Sequence, residues 1–321
     1  MPEPSSNKRC VILMGMGGPD SSAGVKEFLY NIFSDPEIIN LPGGKLLRGP
    51  FAKMISNLRA NKVRGHYDLI GGGSPLLKWT EAQRDNIEFI LTPVYPGFKC
   101  FIAMRYFRPR AEEAIHEAYS EGYRSFYFLP LYPQYCKATT GSSFAEAKRI
   151  LRRYPEVTAR YIDDFHDHPG YTDLLKNYID NNIGDTDILL FSAHSIPEKF
   201  VTEGDPYVDQ IKETVRLAAG DRPYHLSFQS RTGPVKWVGP DTVGEVKRLL
   251  SENPDKNLFI VPISFVCDHI ETLYELDIEL KSFVAEADSP RIRRMPMFND
   301  DRRFGSVLAD IIINRMDNND A

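Results

Sequence analysis

Six short apolar runs, rich in β-branched and aromatic residues, punctuate the chain, and each is followed by small or turn-forming residues and then a helical pattern. Residues 10–14 (CVILM), 98–103 (FKCFIA) and 125–131 (SFYFLPL) form a first set, and residues 187–192 (DILLFS), 224–229 (YHLSFQ) and 258–265 (LFIVPISF) a second. Strands alternating with helices in this way predict a parallel α/β sheet. After the first run, Val25, Phe28, Leu29, Ile32 and Phe33 recur at helical spacing and mark the inner face of a helix. The pattern restarts after residues 155–165, so two successive α/β halves are expected. The boundaries drawn are 1–158 for the first domain, 159–290 for the second, and 291–321 for a closing segment. In that segment Phe304, Val307, Leu308, Ile311 and Ile312 predict an amphipathic helix packed on the protein.

Ligands of such sheets bind beyond the carboxyl ends of the strands, so the loops there hold the functional candidates. In order they read MGMGGP, MRYFRP, LYPQYCKATTGSS, SAHSIP, FQSRTGPVKW and CDHIETLYE, a concentration of aromatic, His and Arg residues that suggests a cleft between the halves. A length of 321 residues suits two domains at about 150 residues each. A net charge of −5 argues against a nucleic-acid binder, which is usually basic. The four cysteines (Cys10, Cys100, Cys136, Cys267) lack metal or redox spacing and read as buried thiols of a reducing compartment. Glycines cut the first apolar run short of a signal-peptide core, and no run approaches the ~18 apolar residues of a membrane span. A cytoplasmic protein is expected.

The glycine clusters GMGGP (15–19) and IGGGSP (70–75) match neither GxGxxG nor GxxxxGK[ST] and read as tight turns, with Ser74 able to donate a hydrogen bond. His194 directly follows the run DILLFS, where its side chain would project into the cleft. His269 and Glu271 stand at an equivalent strand end. Imidazole titrates near neutrality and ligates transition metals, so a His and a Glu facing each other could accept protons or hold a divalent cation. Glu271, Glu275 and Glu279 recur every fourth residue and form one acidic line on a helix, which requires compensation. DDFHDHPGY (163–171) is metal-like in composition but reads as a solvated linker. Residues 41–67 contain no acid, and Lys45, Arg48, Lys53, Arg59, Lys62 and Arg64 alternate there with Leu46, Leu47, Phe51, Met54, Ile55 and Leu58. That segment is either a plain basic surface helix or a cationic, apolar lip that touches an anionic membrane or an acidic apolar ligand.

The blocks FLYNIFSDPEII, YDLIGGGSPL, MRYFRP, LYPQYCKATTGSS, LLFSAHSIPEKFVTEGDPY, FQSRTGPVKWVGP and SFVCDHIETLYELDIE resemble those of the ferrochelatases, in the right order from about residue 11 to residue 280. Ferrochelatases insert ferrous iron into a porphyrin in the last step of haem synthesis. The resemblance implies two similar Rossmann-like domains with the porphyrin in the cleft between them. It places His194 and Glu271 at the macrocycle, handling the metal or the leaving protons. It gives His269 and Asp268 supporting roles and makes Glu275 and Glu279 an acidic path on a helix widened into π form. Arg105 and Ser74 fall on propionate-binding positions, Tyr106 and Tyr132 on pocket positions, and Phe265 and Trp237 near the cleft. Met16 falls on the opposite face of the porphyrin, where relatives that metallate coproporphyrin carry Tyr, so protoporphyrin IX is the expected substrate. Ferrous iron is then a substrate, and no tightly bound cofactor is expected. The tail beyond Cys267 has no cysteine, so no [2Fe–2S] cluster is expected either. Peripheral contact with the inner face of a membrane and a homodimer are both left open. A non-catalytic porphyrin carrier would have little need of the His194 and Glu271 pair.

Overall fold

The computed structural model describes residues 8–38, 44–231 and 233–317, with side chains throughout except at 44–46. Of the residues singled out above, the side chains of Lys45 and Leu46 and the residues Ile39 and Thr232 lie outside the described ones.

Two four-stranded sheets account for every expected run. The first contains β1 (Arg9–Gly15), β2 (Lys99–Met104), β3 (Ser125–Pro130) and β4 (Thr158–Tyr161), in the order β2-β1-β3-β4. The second contains β5 (Asp187–His194), β6 (Tyr224–Gln229), β7 (Asn257–Pro262) and β8 (Ile292–Arg294), in the order β6-β5-β7-β8. All neighbouring strands are parallel. The central strands are near-continuous apolar runs because helices cover the sheets, and β3 is buried along its whole length. On one face of the first sheet, Ile12, Phe101 and Phe128 pack with Ala111, Ala114, Ile115 and Ala118 of helix Ala111–Ser120. In the second, Leu190, Leu258 and Ile260 pack with Val246, Leu249 and Leu250 of helix Thr242–Glu252.

The chain divides differently from the expected linear boundaries. One compact unit comprises the chain up to Tyr132, Lys137–Asp164 and the chain from Asn299. The other comprises Pro133–Cys136 and Phe165–Phe298. An edge strand, β4, begins at Thr158, where a domain boundary was expected. Its residues are only partly buried, so it lacks the apolar signal of the inner strands. Residues 292–294, expected in the closing segment, are β8 and pair with β7. Gln134 belongs with the second unit because its amide donates to Thr214 Oγ1 (3.2 Å) and the Ile263 carbonyl (3.3 Å).

The expected closing helix is Arg302–Asp317. It buries Phe304, Val307, Leu308, Ile311 and Ile312 and packs on helix Leu76–Leu91 of the first unit. Gly305 permits the close approach, since a Cβ there would lie 2.5 Å from Asn86 Cβ. The basic segment is mainly one helix, Gly44–Leu69. Ala52, Ala60 and Tyr67 are buried, while Leu47, Met54 and Leu58 are 51 to 71 % exposed.

Candidate active site

The order of the second sheet makes β5 the strand whose two neighbours are reached by crossovers in opposite directions, and His194 is its last residue. A ligand crevice is expected at the carboxyl end of such a strand. The backbone around His194 is fixed on both sides: its N–H donates to Ser264 Oγ (3.0 Å), and its carbonyl accepts from the buried Tyr207 hydroxyl (3.0 Å). The imidazole Nδ1 lies 2.6 Å from the Ser195 carbonyl oxygen. A carbonyl only accepts, so Nδ1 carries the hydrogen and the lone pair of the neutral ring is on Nε2. His269 is held the same way, with Nδ1 3.0 Å from the Cys267 carbonyl and its ring edge-on to Phe265 at 4.5 Å between centroids.

Both Nε2 atoms face one carboxylate. His194 Nε2 lies 3.6 Å from Glu271 Oε1, and His269 Nε2 lies 3.8 Å from Glu271 Oε2. The Glu271 side chain is only 14 % exposed, and its buried Oε2 has no hydrogen-bond partner among the described residues. Burial pushes the Glu271 carboxyl up, but the positive charge that His194, and then His269, can carry outweighs it and holds the group below the usual carboxylate range. Two ring lone pairs and an acceptor-only carboxylate repel one another unless a proton or cation lies among them. The constellation is therefore built to receive positive charge.

The acidic line continues on a π-helix, Glu271–Glu279, whose widened winding shows in the Leu280 N–H donating to the Glu275 carbonyl, five residues back. Glu275 accepts from Gln229 Nε2 (3.2 Å) and from the Ser230 hydroxyl. Burial, and then the neighbouring charge of Glu271, push its carboxyl up to about 7. Glu279 accepts from the Tyr274 hydroxyl (3.4 Å). Asp268 is engaged differently: Arg294 lies 3.0 Å away, and Thr272 Oγ1 donates to it (2.9 Å), contacts that describe holding the loop. Trp237 is half-buried on a segment joined to the SAHSIP loop, where the Val238 N–H donates to the Ile196 carbonyl (3.0 Å).

Gln229 and Ser230 were not singled out from sequence, although their place directly at the end of β6 is the signal that marked His194. Ser230 also adopts φ 67°, a left-handed conformation unusual for a non-glycine residue and typical of functional sites.

The candidates of the first unit have other surroundings. Met16 follows β1 and packs against Phe28, Tyr106 and Phe107. Arg105 follows β2. Its guanidinium donates to Asp35 (2.9 Å) and Ser142 Oγ (2.7 Å) and lies 3.2 Å from Glu146. Tyr106 is 2 % exposed and donates to Asp35 (2.6 Å). Ser74 is half-buried, with its N–H donating to the Pro19 carbonyl (2.7 Å), and Tyr132 is half-buried after β3. All four cysteines are buried, and burial raises the thiols of Cys10, Cys100 and Cys267. The DDFHDHPGY segment leads into helix Pro169–Asn182, with Asp163 and Asp167 exposed and Ile162 and Phe165 buried.

A family model described as Ferrochelatase matches residues 8–316. The ferrochelatase of Geotalea daltonii is 42 % identical over 316 residues, covering 96 % of this chain and 98 % of that protein. That of Geobacter metallireducens is 44 % identical over 317 residues, covering 96 and 98 %. That of Aquifex aeolicus is 40 % identical over 316 residues, covering 96 and 100 %. Among solved structures, SirB from Bacillus subtilis with Fe3+ superposes with a TM-score of 0.54 at 13 % identity, covering 96 % of this chain and 95 % of that one. The sirohydrochlorin chelatase SirB from Bacillus subtilis subspecies spizizenii in complex with cobalt gives a TM-score of 0.52 at 13 % identity, covering 96 and 93 %. At that identity the likeness speaks to the fold.

Proposed function

The chain belongs to the ferrochelatase family, and from that premise we propose that it inserts ferrous iron into protoporphyrin IX, with His194 as the proton acceptor and Glu271 as its charge partner. One observation carries the assignment of roles: the Nε2 atoms of His194 and His269 face the two oxygens of one largely buried carboxylate, Glu271 Oε1 and Oε2, at 3.6 and 3.8 Å. Metallation exchanges two pyrrole protons for one dication, so a site for it must accept protons and tolerate a metal charge. With Nδ1–H held by the Ser195 carbonyl, His194 can take a proton only at Nε2, and the resulting imidazolium lies 3.6 Å from Glu271. Glu275, with a carboxyl near neutrality, is suited to take the second proton or pass it along the π-helix. A pocket that favours a ruckled macrocycle would expose the nitrogen lone pairs to the incoming ion and lower the barrier further.

Met16, a thioether rather than a phenol at the end of β1, favours protoporphyrin over coproporphyrin as substrate. The test is metal insertion followed by absorption, without oxygen, using purified protein, Fe2+ or Zn2+ and each porphyrin in turn. Insertion into protoporphyrin is expected; a clear preference for coproporphyrin would overturn the Met16 argument. A peripheral membrane contact is supported by the exposed Leu47, Met54 and Leu58 beside Lys53, Arg59 and Lys62 on helix Gly44–Leu69. No described helix is long and apolar enough to cross a membrane. Cosedimentation with anionic but not neutral vesicles is the expected result.

A further inference from the structure

A π-helix is rare and appears mainly as short insertions, so an uninterrupted π segment over Glu271–Glu279 requires something that prefers it to the α-helix the same residues could form. Arg294, the last residue of β8, has the geometry to supply that preference. Its Nε donates to Asp277 Oδ1 (2.9 Å) and its Nη2 to Asp277 Oδ2 (2.8 Å), a two-bond fork onto one carboxylate. The same Nη2 lies 3.0 Å from Asp268 Oδ1. Asp268 Oδ1 accepts from Thr272 Oγ1 (2.9 Å), and Thr272 Oγ1 accepts from the His269 N–H (3.0 Å). The guanidinium therefore ties Asp277 to the turn that begins the helix and carries His269 and Glu271.

The two tied points on the helix, Thr272 and Asp277, are five residues apart. In a π-helix, whose bonds run i to i+5, such residues stand above one another on one face. In an α-helix at 3.6 residues per turn they are separated by about 140° around the axis, so the Asp277 carboxylate would turn away from the Asp268–Thr272 pair that the guanidinium also holds. The anchor itself is stiff. Arg294 pairs in register with Ile260 of β7, the Met295 N–H donates to the Ile260 carbonyl (2.8 Å), and the Arg294 side chain is only 12 % exposed.

We propose that Arg294 is a positioning residue for the metallation site: by bridging Asp268 and Asp277 it selects π over α winding and so sets where Glu271 and Glu275 stand relative to His194. The proposal rests on the assignment of the reaction to those three residues. Asp277, about a third exposed, is the point at which the clamp can be loosened without removing a buried group.

The test compares Zn2+ insertion by the full-length protein, Asp277→Asn, Arg294→Gln, Arg294→Lys and the Asp277→Asn/Arg294→Gln double variant. A shift of about 1 Å in a reacting group can lower turnover up to a hundredfold, so each disrupting single variant is expected to lose about tenfold in kcat with porphyrin KM within about twofold. The double variant should be no worse than the weaker single one, because both changes break one interaction. Arg294→Lys should recover part of the loss, and backbone amides of residues 275–280 should exchange faster in Asp277→Asn. Wild-type kcat in Asp277→Asn, or losses that multiply in the double variant, would overturn the proposal. Should Arg294→Gln not fold, Asp277→Asn alone decides. Failure of the underlying assignment looks different, since His194→Ala would then retain insertion.

Discussion

Met16 and Arg105 follow the first two strands of one sheet as His194 and Ser230 end or follow the first two of the other, and in both sheets a π-helix comes after the third strand. The repeat stops at the charges. In the first unit Arg105 meets Asp35 and Glu146, and Tyr106 and Ser142 also donate to Asp35, so each carboxylate faces a guanidinium, although Glu146 Oε2 has no hydrogen bond among the described residues. In the second unit the two histidines face Glu271, but Glu275 beside it is pushed up to about 7 by burial and then by the charge of Glu271. A compensated cluster stabilises a loop. An uncompensated one stores electrostatic free energy that an incoming proton or cation releases. The same topology thus carries a structural cluster in one unit and, by our assignment, the reacting groups in the other.

The comparison breaks most directly at His194. His194→Ala should lower the rate of Zn2+ or Fe2+ insertion by about 10²–10⁴-fold, the range of a lost general base, with porphyrin affinity within about threefold. Unchanged turnover would move the chemistry out of the second unit. Asp35→Asn probes the opposite claim. Removing one partner of a buried ion pair typically costs about 3–5 kcal/mol, so the melting temperature should fall by several degrees while insertion per folded molecule changes much less than in His194→Ala. Equal loss of turnover in the two variants would erase the contrast.

Glu275 sharpens it through pH. Its folded pKa of about 7 lies above the ordinary glutamate value, so the folded state holds the proton more tightly than the unfolded chain. That contribution is fully present below the unfolded pKa and is lost as pH rises toward about 7. Glu275→Gln should therefore stabilise the protein relative to wild type at pH 8, on the order of 1–3 kcal/mol, and do so much less at pH 4.5. Denaturation at the two pH values checks this, and an equal effect at both would remove the claim of an uncompensated acid. The smallest effect is expected at Arg105. Arg105→Lys keeps the charge but loses the fork, and should weaken porphyrin binding by about threefold. Unchanged affinity in a fluorescence titration would confine Arg105 to its cluster with Asp35.

Much of the architecture was legible because it is written in local pattern. The apolar runs fell on β1, β2, β3, β5, β6 and β7, most plainly on the inner strands β1, β3, β5 and β7, since strands covered on both faces show as near-continuous apolar stretches. The outer strands β4 and β8 carried no such signal, being short and partly exposed, and both domain limits slipped there. His194, His269 and Glu271 were found by their places after strands. The residues that hold the acids were mostly missed, because Gln229 reaches the Glu271 carbonyl across 42 residues and Ser230 reaches Glu275 across 45. Arg105 was assigned to propionates by resemblance, and nothing near it in sequence announced Asp35, 70 residues earlier.

The sequence alone determined that this chain forms parallel α/β sheets, and its motif blocks marked a histidine and a row of acids at strand ends, because periodicity and strand-end position are properties of neighbouring residues. Only the tertiary structure decided which charges are cancelled and which are left over, and that the last helix returns to the first unit. Those outcomes depend on which distant side chains come within about 4 Å, the distance at which charge in a protein interior is decided.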